Sequence, residues 1–274
     1  MSLKSSLQEL KSRLKLSGRM PTLFLGHGSP MNAIEDNKYS QSWKNLGRSL
    51  PKPQAILVIS AHWMTKGTTL VDVSSVPKTI HDFYGFPEQL NKQQYPANGH
   101  PILAKEVSGI LTDFNVKTDE SWGLDHGAWS VLDSLFPEAD VPVFQLSIDL
   151  TKDMQWHFNI GKELSELRDR GVLILGSGNI VHNLRALRFD GKAYDWAIEF
   201  DDFVKQKLDE RNFSSLLDIH SMGRLMNMSN PTLEHYIPAI TIAGASNSKD
   251  ELFYTTEGID LGSLSMRSFI FHST

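Results

Sequence analysis

The 274-residue chain carries 27 Lys and Arg against 32 Asp and Glu, a formal charge of −5, with 40% hydrophobic and 22% charged residues. That balance describes a globular chain long enough to bury a full core, without the basic footprint of a phosphate-backbone binder, so no nucleic-acid partner is expected. With no cysteine, disulfides, thiolate nucleophiles, iron–sulfur clusters and Cys-based zinc sites are excluded, and any metal must be held by His, Asp or Glu.

The first residues lack the apolar core of a signal peptide, and Leu3, Leu7, Leu10 and Leu14 recur on one helical face. Glu9 argues against a transit peptide, so a helix within residues 1–20 is expected to dock on a domain spanning 21–274. No stretch approaches the roughly 20 apolar residues of a membrane span; the expectation is a cytoplasmic protein without membrane contact. Continuous apolar runs at 22–25, 55–60, 141–146, 172–175 and 239–243 read as strands buried on both faces. Helical patterns at 101–114, 152–170 and 194–210 lie between them, and 267–272 reads as an edge or antiparallel strand. The alternation predicts an α/β fold: a single domain with a mostly parallel central sheet and helices on both faces. Asp201 and Asp202, in the FDDF of the third helix, are expected on its solvated face.

Residues 73–99 show no periodicity, are punctuated by Pro77, Gly85, Pro87, Pro96 and Gly99, and contain four aromatics. Such a long irregular segment inside a compact domain reads as an ordered loop lining a pocket.

Ten histidines are present, and their positions are informative. PTLFLGHGSP puts His27 just beyond one buried strand, and AILVISAHW puts His62 just beyond the next. In an open parallel sheet, ligands bind outside the carboxyl ends of the strands, so both imidazoles are expected to face that crevice. GVLILGSGNIVHN places His182 in the first turn of a helix at the same edge, presented by a tight turn through Gly176 and Gly178. In SNPTLEHYIP, Asn230 or Thr232 can cap a short helix with Pro231 in its first turn, bearing Glu234 and His235. Adjacent helical positions diverge by about 100°, so one of the two faces a given site. Glu234 with two histidines would make a facial triad suited to Fe(II); His235 instead would make an all-His site more typical of zinc. In DESWGLDHGAW, His126 follows Asp125 in a Gly-punctuated loop between Trp122 and Trp129, a setting for a general acid/base beside a metal. Of the remaining histidines His81 has the best claim to a site, His100 and His220 have weaker ones, and His157 and His272 read as structural.

Gly176-Ser-Gly178 begins like a dinucleotide fingerprint, but Val181 replaces the third glycine and Asp195 falls in a helix. No Walker loop, nucleophile elbow or HExxH occurs.

The blocks FLGHGSPMNAI, ISAHW, IHDFYGFPEQLNKQQYPANG, WGLDHGAW, GSGNIVHNL and NPTLEHYIP, in that order from about residue 20 to residue 240, resemble the class III extradiol ring-cleaving dioxygenases, within them the 4,5-DOPA branch. The resemblance implies a metal site at the carboxyl-end edge of the sheet. His27 and His62 match the family's two metal-holding histidines, and His182 and His235 match positions where this branch carries further site histidines. His126 matches the pocket acid/base, a role His182 could share. The wider class completes its triad with a carboxylate, which keeps Glu234 as a rival ligand. Fe(II) is the implied cofactor, with Zn(II) able to occupy the same ligands, and the implied partners are a small aromatic diol and O2. Trp63, Phe83, Tyr84, Phe86, Trp122 and Trp129 suggest an aromatic-lined pocket, although tryptophans are more often core residues than a substrate shelf, and no cation is assigned to a substrate carboxylate. The rival readings are a zinc-dependent hydrolase and a non-catalytic metal-binding protein on the same scaffold. No coiled-coil pattern specifies an oligomeric state.

Overall fold

In the computed structural model, which describes residues 18–273, the apolar runs become strands whose alternate side chains feed two separate cores. β1 (Thr22–Gly26) sends Leu23 and Leu25 to one face and Phe24 to the other. β2 (Ala55–Thr65) divides Ile56 and Val58 from Leu57 and Ile59 in the same way. β3 (Thr69–Asp72), β4 (Val116–Asp119), β5 (Val143–Asp149), β6 (Val172–Gly178) and β7 (Glu251–Thr256) follow. After a separate ribbon of β8 (Ile259–Asp260) and β9 (Leu264–Ser265), β10 (Ser268–His272) completes an eight-stranded sheet of order β4-β3-β5-β2-β6-β1-β10-β7. The central strands β5, β2, β6 and β1 are mutually parallel, flanked antiparallel by β3 on one side and β10 on the other. Because helices cover both faces, these strands show no alternation of polarity.

The helices are α1 (Lys38–Ser49), α2 (Glu88–Asn91), α3 (Pro101–Ile110), α4 (His126–Leu135), α5 (Met154–Leu164), α6 (Asp195–Asp209), α7 (Phe213–Leu217), α8 (Arg224–Ser229) and α9 (Ile237–Ala245). Trp43 and Leu46 of α1 and Trp129 and Leu132 of α4 pack on the face that receives Leu23. The opposite face is covered by α3, α5, α6 and α9. This is the single-domain α/β fold expected from the sequence, and 267–272 is the antiparallel strand. The leucine-bearing segment around Leu3 to Leu14 lies outside the described residues. Among the described residues no helix is long and apolar enough to cross a membrane.

Four local expectations fail for identifiable reasons. Residues 239–243 are helical, within α9, because a helix buried on all sides gives the same unbroken apolar run as a buried strand. No α-helix follows β6: the chain instead forms a β-bridge between His182 and Leu264, with His182 N–H donating to Ser229 O at 2.9 Å. Glu234 and His235 sit in turns before α9 rather than on a capped helix. His126 is not in a loop but is the first residue of α4, capped by Asp125, whose carboxylate accepts from Ala128 N–H at 3.1 Å.

Candidate metal centre

Three neighbouring strands of the sheet deliver the site. His27 follows β1 directly, and its N–H donates to Gly178 O, the last carbonyl of β6, at 3.0 Å. His62 lies inside β2 rather than beyond it, within the register shift between Ile59 and Met64 that interrupts the pairing with β5. His235 reaches the edge because Asn179 N–H donates to its carbonyl at 3.0 Å and because Gly178 has no Cβ. A Cβ there would stand 2.2 Å from His235 O, so Gly178 serves close approach and not the tight turn expected of it.

His27, His62 and His235 present ligand nitrogens within 4.8 Å of one another. Each ring is held from behind. Ser177 Oγ donates its single proton to Gly127 O at 2.5 Å, so it accepts from His27 Nδ1–H at 2.9 Å. His62 Nδ1 faces Asp82 Oδ2 at 3.2 Å, and His235 Nδ1 faces Glu234 Oε1 at 3.1 Å. A carboxylate only accepts, so both nitrogens carry the proton. All three Nε2 atoms are therefore left with bare lone pairs. The Nε2 atoms of His27 and His62 stand 3.4 Å apart, where two lone pairs repel unless a cation lies between them. Two bonds of about 2.1 Å to one ion separate their nitrogens by about 3.0–3.4 Å, depending on the bond angle. His235 Nε2 is buried without a hydrogen-bond partner. Burial, and then the surrounding imidazoles, hold His27 and His235 well below the usual histidine pKa, so both stay neutral donors. The donor set fits a divalent metal.

Asp82 was not among the expected site residues. Its Oδ1 lies 3.0 Å from His126 Nδ1 and also accepts His126 N–H at 2.9 Å, while Oδ2 faces His62. Burial opposes its ionisation, but the hydrogen bonds and charges of His126 and His62 outweigh this and hold its carboxyl well below the usual range. One carboxylate thus stands beside Nδ1 of both His62 and His126, whose ring centroids are 3.9 Å apart. His126 itself is pushed down by burial and by His62, against the pull of Asp82.

His182 stacks on His235, centroids 3.4 Å apart and planes 6° from parallel, and groups with Glu234 and His235 rather than with His27 and His62. Burial, with His62 and His126, lowers its pKa to about 3. All five expected histidines line one cavity of about 470 Å³, together with Asp82 and Glu234. From the irregular segment 73–99, Phe83, Tyr84 and Phe86 line it too. The tryptophans do not. Trp129 is fully buried in the core, and Trp63 stacks on Trp122 at 5.5 Å beside a separate cavity that Trp122 lines with Lys78 and Lys105. His81 turns away as well, with Nε2 2.9 Å from Gln93 O.

A nitrogen-donor centre at the carboxyl edge of a parallel sheet, opening on an apolar cavity, defines a metal-dependent α/β enzyme. The family model of the catalytic LigB subunit of aromatic ring-opening dioxygenase matches residues 21–259. The chain is 47% identical over 268 residues to the 4,5-DOPA dioxygenase extradiol of Escherichia coli (strain K12), covering 94% of this chain and 97% of that protein. It is 39% identical over 264 residues to the protein of the same name from Beta vulgaris, covering 92% and 97%. The crystal structure of an uncharacterized protein from Escherichia coli K12 superposes with a TM-score of 0.79 at 42% identity, covering 93% of this chain and all of that one. The chain belongs to this family, the class III extradiol ring-cleaving dioxygenases.

Proposed function

We propose that the protein cleaves the ring of a small catechol with O2, beside its two hydroxyls, to a muconic semialdehyde, using Fe(II) held by Nε2 of His27, His62 and His235. The observation that carries this is the convergence of three bare Nε2 lone pairs, each ring fixed at Nδ1 by Ser177, Asp82 or Glu234. Glu234 then orients His235 instead of competing with it as the third ligand, a common arrangement behind metal-bound histidines. Bound there, Fe(II) supplies the redox coupling between catechol and O2 that zinc, fixed in one oxidation state, lacks.

The protein's own groups do the rest. His126 lines the cavity with Nδ1 3.0 Å from Asp82 Oδ1, and a carboxylate beside Nδ1 favours the tautomer that carries its proton there and leaves Nε2 as the acceptor. That nitrogen takes the second phenolic proton and returns it to the product oxygen, a role contributing about 10²–10⁴-fold in such reactions. His182, neutral and stacked on His235, lies on the substrate side and serves as a second hydrogen-bonding partner for the diol rather than a fourth ligand. The apolar walls exclude bulk water from the reacting ring.

The test is O2 uptake and visible absorbance by protein stripped of metal and reconstituted anaerobically with Fe(II), then given a simple catechol. Iron-dependent uptake with a yellow ring-opened product is expected, and no uptake by the zinc-loaded form. Absence of uptake across a catechol panel at stoichiometric iron would overturn the reading, and O2-independent hydrolysis by the zinc form would replace it. His27→Ala is expected to lose iron retention and turnover together, read by iron analysis and oxygen electrode.

A further inference from the structure

We infer that Ser60, Ser177 and Asp125 are positioning residues that clamp the first turn of α4, and with it His126, against β2 and β6 behind the metal-binding histidines His62 and His27. The inference rests on the ring-cleaving reading above and adds to it what holds the acid/base ring beside the metal centre.

Ser60 on β2 and Ser177 on β6 are partners in the register of the two parallel strands, and both are fully buried. Each hydroxyl has one proton to give, and both protons go to the start of α4. Ser60 Oγ donates to Asp125 Oδ1 at 2.6 Å, and Ser177 Oγ donates to Gly127 O at 2.5 Å. Each oxygen also accepts from a metal-binding histidine. Ser60 Oγ receives the His62 backbone N–H at 3.2 Å, where the pairing of β2 with β5 is interrupted, and Ser177 Oγ receives His27 Nδ1–H at 2.9 Å. His126 lies between the two anchored residues, Asp125 and Gly127. The helix start is thus held by the same two hydroxyls that contact the ligands.

The surrounding groups serve the same approach. Asp125, fully buried, is the N-cap of α4: the oxygen that receives Ser60 also accepts Ala128 N–H at 3.1 Å, while Trp122 Nε1–H reaches the other oxygen at 3.4 Å. Gly127 permits the contact, because a Cβ there would stand 2.6 Å from Ser60 Oγ and 2.8 Å from His62 Cδ2. The His126 ring accordingly rests 3.9 Å from that of His62, centroid to centroid. Asp82 meets the two imidazoles themselves, whereas Ser60 and Asp125 join the strand and the helix that carry them. A hydrogen bond to a carboxylate is among the stronger ones, and a reacting group misplaced by about 1 Å can lose about 100-fold in rate. Loss of the Ser60 hydroxyl should therefore be felt in proton transfer and not in metal binding.

The experiment compares three variants with the parent, all iron-loaded. Ser60→Ala deletes the hydroxyl and leaves the helix cap, Asp125→Ser keeps a capping oxygen on a side chain one bond too short to reach Ser60, and Asp125→Asn keeps an acceptor for both Ser60 and Ala128. Iron analysis, steady-state O2 uptake with catechol and anaerobic spectra of bound 4-nitrocatechol are the readouts; the visible absorption of this probe moves to longer wavelength with each phenolic proton lost. For Ser60→Ala and Asp125→Ser, kcat is expected to fall about 10–100-fold with iron content unchanged and KM little changed, and bound nitrocatechol to shift from the dianion of the parent complex towards the monoanion. Asp125→Asn is expected to recover most of the parent kcat and its spectrum. Should one of the first two variants fail to fold, the other decides. Parent rates and spectra in a folded variant would overturn the inference, as would a fall in kcat fully explained by lost iron, or a slower enzyme with an unchanged nitrocatechol spectrum. Failure of the parent itself to cleave any catechol would overturn the ring-cleaving reading instead, and the anaerobic spectra, which need no turnover, would still test the clamp.

Discussion

Asp82 couples the two functions of the site, because one oxygen lies 3.2 Å from His62 Nδ1 while the other lies 3.0 Å from His126 Nδ1 and accepts the His126 backbone N–H at 2.9 Å. An amide in its place keeps one acceptor but presents N–H groups where the second oxygen stood, so one of the two imidazoles must change tautomer or turn. Asp82→Asn is therefore expected to weaken iron binding about 10–100-fold, as removal of such supporting partners commonly does, and to lower kcat even at saturating iron. Iron titration and steady-state O2 uptake read the two effects separately; unchanged values for both would remove Asp82 from the mechanism. The sequence drew attention to its neighbourhood through the aromatics and His81, but a loop without periodicity carries no direction for its side chains. His81, one residue away, points to Gln93 instead. His27, His62 and His182 were legible because strand ends in a parallel sheet share one edge, whereas His126 and His235 were placed beside them by the resemblance. The choice of His235 over Glu234 was not legible, since it depends on which of two adjacent side chains faces His27.

At the scale of elements, α9 shows how an apolar run misleads. It packs on α5 so closely that each helix offers the other a glycine: a Cβ on Gly161 would lie 2.0 Å from Thr241 O, and one on Gly244 would lie 2.0 Å from Phe158 O. Gly161→Val must push the two backbones apart, and overpacking of this kind costs about 1–3 kcal/mol or more. A lowered urea midpoint is expected, together with weaker iron retention, because His235 lies two residues before the start of α9. The FDDF pair on α6 shows the opposite error. Asp202 is solvated as expected, but Asp201 is 4% exposed and receives Arg267 Nη2 at 2.6 Å and Nε at 3.1 Å, with Ser265 Oγ at 2.5 Å. This pair ties α6 to the segment between β9 and β10. Arg267→Met leaves a carboxylate buried without its partner and is expected to cost about 3–5 kcal/mol, whereas the double variant with Asp201→Leu recovers most of that loss. Denaturant midpoints of the single and double variants measure the difference; equal midpoints would contradict it.

At the scale of the whole molecule, a buried histidine contributes to how stability depends on pH. His157 on α5 is buried, with Nε2 3.2 Å from Asp149 O, and burial lowers its pKa from 6.5 to about 4. The unfolded chain binds a proton at this residue at pH values where the folded chain does not, so its contribution is complete above about pH 6.5 and is lost as pH falls through about 4. A shift of 6.5 − 4 corresponds to about 3 kcal/mol at most. His157→Leu is expected to show a shallower loss of stability between pH 7 and pH 4 than the parent, measured as the urea midpoint against pH. Parallel curves would exclude His157 as a source of that acid limb.

The sequence by itself determined the α/β class, the two-sided burial of the central strands and the sheet edge at which the histidines gather. Each of these follows from local patterns, apolar runs between amphipathic helices and polar residues at strand ends, that translate directly into burial. Only the tertiary structure decided that 239–243 is a helix, that Asp201 is buried, that Asp82 stands between His62 and His126, and that Phe83, Tyr84 and Phe86 rather than the tryptophans line the cavity. Those facts depend on which distant segments meet, and a contact between residues far apart in the chain leaves no periodicity for a single sequence to display.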